Sequence, residues 1–88
     1  MALNIAVNLG RLGRWACEGK PARLQQFMKE TEGFIDQLDK NAKSPRFQKT
    51  FDTFKANFTQ LRSAKIDLVW AEMMFTWANI LTHRARLA

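Results

Sequence analysis

The sequence predicts an all-α protein of four helices packed as a small bundle, and three observations carry that prediction. Two breaks, Gly19-Lys20-Pro21 and Ser44-Pro45, interrupt an otherwise continuous chain. Apolar residues between them recur at helical period. Phenylalanines at 47, 51, 54 and 58 then fall on one line of a helix. The expected helices cover about 2–18, 21–42, 45–62 and 65–86, with the third and fourth alternatively joined as one bent helix. At 88 residues the chain has room for one hydrophobic core, so a single domain is expected.

In the first helix Ala6, Gly10, Gly13 and Cys17 share a side, beside the larger Ile5, Leu9 and Leu12. Small side chains let another backbone come close, and two glycines would weaken an isolated helix, so a neighbour is expected to clamp this one. Cys17 reads as a buried small hydrophobe. Trp15, across from the strip and next to Asn8, is expected partly exposed and available to a partner. Gly19 suits the left-handed residue that ends a helix, and Pro21 suits the first position of the next.

The second helix buries Leu24, Phe27, Met28, Thr31, Phe34, Ile35 and Leu38, and turns Glu30, Glu32, Asp36 and Asp39 outward. Ser44 is placed to cap the third helix and Pro45 to begin it. Leaving the phenylalanine row in water would forfeit roughly 1.5 to 3 kcal/mol per ring. Aromatics among basic residues also occur where nucleobases stack, but a narrow seam on a helix mates naturally with another helix. The short connection at 41–45 makes the second and third helices antiparallel neighbours.

Beyond Leu61 the apolar positions resume one residue late, at Ile66, which rotates the stripe by about 100°. A turn or bend near 62–66 is therefore expected, with Ser63 available as the cap of the last helix. That helix shows a broad apolar face of Ile66, Val69, Trp70, Met73, Met74, Trp77, Ile80 and Leu81. Leu68 and Phe75, with Ala71 at the margin, point to nearly the opposite side, where a surface helix should be polar. A second contact follows, most simply a symmetric homodimer, with a groove for a partner's helix as the other reading.

Chemistry is scarce. His83 is the only histidine and has no neighbouring carboxylate, which leaves no base beside a nucleophile. Cys17 is the only cysteine, so neither an internal disulfide nor a cysteine metal cluster is expected, and a reducing cytoplasmic interior suits the chain. The acids of the second helix lack the Glu-x-x-His pairs of carboxylate metal bundles, and Gly10-Arg11-Leu12-Gly13 lacks the spacing of phosphate-binding loops. No cofactor, metal or catalytic residue is assigned, and no stretch is long and apolar enough to span a membrane.

The net charge of +6 draws anions without naming one. Arg11, Arg14, Lys20 and Arg23 gather around the first break as candidate phosphate contacts, with Gln25 and Gln26 near bases. Lys40, Lys43, Arg46 and Lys49 gather around the second break, and His83, Arg84 and Arg86 are expected at the opposite pole from it. The function expected is a non-enzymatic protein-interaction module acting through its last helix. A nucleic-acid-binding helical domain is the alternative.

Overall fold

A computed structural model describes the backbone of residues 2–87. Its four helices are α1 (Ala2–Glu18), α2 (Pro21–Asp39), α3 (Pro45–Ser63) and α4 (Leu68–Leu87), with no strand among the described residues. Each boundary has a local cause. Gly19 adopts φ 66°, and the amides of Gly19 and Lys20 turn back to the carbonyls of Ala16 and Trp15, closing α1 in a Schellman motif. The Ser44 hydroxyl accepts the Phe47 N–H at 3.2 Å, and Pro45 follows at the first position of α3.

Two boundaries differ from the sequence expectation. Helix α2 ends at Asp39 rather than near 42, because the Lys43 ammonium folds back onto the carbonyls of Leu38, Asp39 and Asn41 and satisfies the helix end early. Helix α4 starts at Leu68 rather than 65, and its cap is Asp67 instead of Ser63. The Asp67 carboxylate accepts the Trp70 N–H at 2.9 Å, while Ser63 stays in the last turn of α3. Residues 64–67 thus separate α3 and α4, which are two helices and not one bent rod.

Every helix runs antiparallel to its neighbours in an up-down-up-down bundle measuring 37 × 20 × 19 Å. Asp39 pairs with Lys55 and Glu32 with Arg62 across α2 and α3. Trp70 donates its indole N–H to the Leu61 carbonyl at 2.9 Å, and Trp77 meets Phe54 edge-on at 5.4 Å, across α3 and α4. Ala2 and Ala85 line one depression while Gly13 meets Ala71 and Phe75, across α1 and α4.

The phenylalanine row is the inside of the fold. Phe51 and Phe54 have no exposed surface, and Phe47 and Phe58 keep 6% and 4%. They pack with Ile5, Leu9 and Leu12 of α1, Leu24, Ile35 and Leu38 of α2, and Trp70, Met74, Trp77 and Leu81 of α4. The buried Thr31 hydroxyl donates to the Phe27 carbonyl at 2.6 Å, which makes it tolerable in the α2 stripe.

The four seams are unequal. Helices α2 and α3 meet through long side chains, whereas α1 lies closest to α4. A Cβ built on Gly13 would stand 2.9 Å from the Phe75 ring and 3.1 Å from the Ala71 carbonyl, so only glycine fits there. At Gly10 the same atom would meet nothing within 4 Å. Gly13→Ala is expected to cost about 1–3 kcal/mol by overpacking. Gly10→Ala should leave the fold unchanged or gain up to about 1 kcal/mol of helix propensity. Urea unfolding of the two variants at high dilution checks both.

Candidate functional site

Leu68 is 66% exposed and Phe75 39% exposed on the outer side of α4, as a second contact requires. Ala71 does not join them. It is only 1% exposed, because α1 crosses directly over it at Gly13, and it belongs to the seam inside the monomer. Ile66 and Val69, expected inward, are 50% and 65% exposed: the first lies in the connection to α4 and the second in a first turn that overhangs the core.

The sequence reading missed the contribution of α1 to this face. Leu3, Gly10 and Cys17 recur every seven residues, which sets them on one line along the helix, next round from Gly13. Leu68, Phe75 and Thr82 form the corresponding line on α4. The two lines flank the seam, and Cys17 and Leu68 share one shallow depression. Leu3 and Val7 are half-exposed beside Gly10, and Cys17 is exposed rather than buried as expected. The small-residue strip therefore divides. Ala6 and Gly13 face α4, whereas Gly10 and Cys17 open outward as a notch between larger apolar groups.

Charged groups border this face. Arg14 and Glu72 are exposed on its two flanks, and the contact of Gly13 with Ala71 and Phe75 places them at nearly the same height along the bundle. Arg14 also reaches Glu18 at 3.6 Å, an exposed pair one turn apart that contributes little.

Trp15 lies elsewhere, on the α1–α2 side. Its ring packs against Phe27 at 4.7 Å between centroids, the Arg23 guanidinium covers it at 5.5 Å, and Arg11 covers Phe27 at 5.8 Å. This cation–aromatic ladder ties α1 to α2. Of the four candidate phosphate contacts, Arg11 and Arg23 are thus held over rings, Arg14 stands beside Glu18, and Lys20 is exposed at the turn.

The second basic group has a different setting. Ala85 shares a depression of about 500 Å³ with Leu38, Ala42, Lys43, Ser44 and Phe47. The end of α4, with His83, Arg84 and Arg86, therefore lies at the same pole as Lys40, Lys43, Arg46 and Lys49. The expectation of opposite poles is corrected by the helix count: in an antiparallel four-helix bundle the chain end returns to the level of the second connection. A further apolar groove of about 420 Å³, floored by Leu24, Met28, Leu61 and Trp70, opens between α2 and α3.

Two buried donors, Asn8 Nδ2 and Trp77 Nε1, have no hydrogen-bond partner among the described residues. Among those residues no cluster of three or more His, Cys, Asp or Glu could hold a metal ion. Nor is any helix long and apolar enough to cross a membrane.

One exposed ion pair has a pH signature. The hydrogen bond from Lys55, 2.6 Å away, holds the Asp39 carboxyl below the usual carboxylate range, and Asp39 in turn raises Lys55. The Asp39 contribution to stability is present above the ordinary carboxylate range and disappears as pH falls through the lowered value. Solvent screening keeps it small at physiological salt. Asp39→Asn should lower the melting temperature slightly at neutral pH and leave it unchanged near pH 2, by circular dichroism against the parent chain.

No protein-family model, curated protein or solved structure matches this chain.

Proposed function

We propose that this chain is a non-enzymatic protein-interaction module that pairs with a second copy of itself through the outer α1–α4 face. One observation carries the reading. A core of buried residues forms within the single chain, yet Leu3 and Val7 of α1 and Leu68 and Phe75 of α4 remain exposed outside it, side by side on one face. Large contiguous apolar surface is uncommon on proteins that work alone.

Complementarity favours a second copy over an unrelated partner. A two-fold axis parallel to the bundle would lay α1 of each copy over α4 of the other at unchanged height. Phe75 would then stand opposite the partner's Gly10, whose open notch has the space for a ring. Arg14 would stand opposite the partner's Glu72, twice over, joining opposite charges at the rim.

Sedimentation equilibrium should give the mass of two chains, and Leu68→Lys with Phe75→Lys should give one chain with helicity retained. The charge pair supplies a second arm. Arg14→Glu alone and Glu72→Arg alone should each weaken association about two- to fivefold, and the two together should restore it. A parent chain of monomer mass, or a double lysine variant that still pairs, contradicts the proposal.

A further inference from the structure

We infer that the pole formed by the α2–α3 connection and the end of α4 is a docking surface for the phosphate backbone of nucleic acid. The inference stands apart from self-association, since it concerns the end of the bundle and not its side.

Lys40, Lys43, Arg46, Lys49, Arg84 and Arg86 gather at this pole, six of the chain's 14 Lys and Arg. Of the carboxylates beside them, Asp39 is hydrogen-bonded to Lys55 and Asp52 accepts from Gln48. The opposite pole is mixed, with Arg14 beside Glu18, Arg62 paired to Glu32, and Asp67 capping α4. Much of the chain's net +6 is therefore concentrated at one end, within a cross-section of 20 × 19 Å. That is the electrostatic footprint of a polyanion site.

The setting of these cations favours nucleic acid over a lipid surface. The connection that forms the tip, Lys40-Asn41-Ala42-Lys43-Ser44, carries no aromatic or large aliphatic side chain that could enter an acyl layer. Its apolar floor, Leu38 and Phe47, is buried beneath it, and Leu3 of α1 is the one half-exposed large aliphatic residue lining the same depression. Lys43 spends its ammonium on backbone carbonyls and holds the tip in shape, leaving Lys40, Arg46, Lys49, Arg84 and Arg86 exposed around it. No base-reading arrangement accompanies them, so contact with phosphates and without sequence preference is the matching mode. In the proposed pair, an axis along the bundle would bring both poles to the same end.

The test is fluorescence anisotropy with a labelled duplex of about 20 base pairs, titrated at about 25 and 150 mM salt. Binding is expected at the lower salt and should weaken at least about tenfold at the higher. Reversing Arg46, Lys49 and Arg84 to Glu should remove at least about tenfold of the low-salt affinity, and reversing Lys20 and Lys65 at the other pole should change it less than about twofold. Arg46→Gln with Arg84→Gln serves as the milder variant should the triple reversal perturb the fold by circular dichroism. The lysine variant at Leu68 and Phe75 should bind more weakly but keep its dependence on the pole, which separates failure of this site from failure of the pair. No duplex binding at low salt, equal losses at the two poles, or binding confined to vesicles containing phosphatidylserine would overturn the inference.

Discussion

The close approach of α1 to α4 at Gly13 sets the shape of everything around it. With no side chain between the helices, the Ala71 carbonyl and the Phe75 ring fill the place where a Cβ would stand. Ala71 is thereby sealed inside, and Phe75, which cannot pass between the backbones, spreads over the outer edge of the seam. On the far side the phenylalanine row and the ion pairs hold α2 and α3 apart at side-chain length. The bundle is thin on one side and thick on the other. On the thin side Leu3, Val7, Leu68 and Phe75 reach the surface.

That division separates packing from association. Among the described residues sixteen hydrophobic side chains are buried in a core that does not include Leu3, Val7, Leu68 or Phe75. The outer face then has a different energetic role from the inner one. Its apolar groups are only partly covered within the chain, Phe75 keeping 39% and Leu3 47% of its surface in water, and that remaining area is what association would bury. Charge is divided in a similar way: half of the carboxylates lie on α2, while Lys and Arg predominate at one end of the bundle.

Much of the fold was legible in the sequence, and the failures have physical reasons. Spacing alone placed Phe47, Phe51, Phe54 and Phe58 inside, because helical period is a geometric constraint that no tertiary context altered. The breaks at Gly19-Pro21 and Ser44-Pro45 marked helix ends through backbone chemistry local to those residues. The end of α2 was misjudged because its cap, the Lys43 ammonium, reaches back from outside the helix. The cap of α4 was misjudged because serine and aspartate both qualify, and α3 continues through Ser63, which leaves Asp67 to accept the Trp70 N–H. On the candidate face Leu68 and Phe75 were legible from period, whereas Ala71, Leu3, Val7 and the division of the small-residue strip depend on how α1 is rotated against α4. The basic pole was hidden for the same kind of reason, since Arg84 and Lys40 meet only through the topology of the whole chain.

The central claim, that α1 and α4 touch at backbone distance with Phe75 folded over the seam, is tested most directly by nuclear Overhauser effects in solution. Strong cross-peaks from the Gly13 α-protons to the Phe75 ring and to the Ala71 α-proton are the expected result. A Phe75 ring that shows contacts to Leu9 and Met74 instead, with none to Gly13, would contradict it.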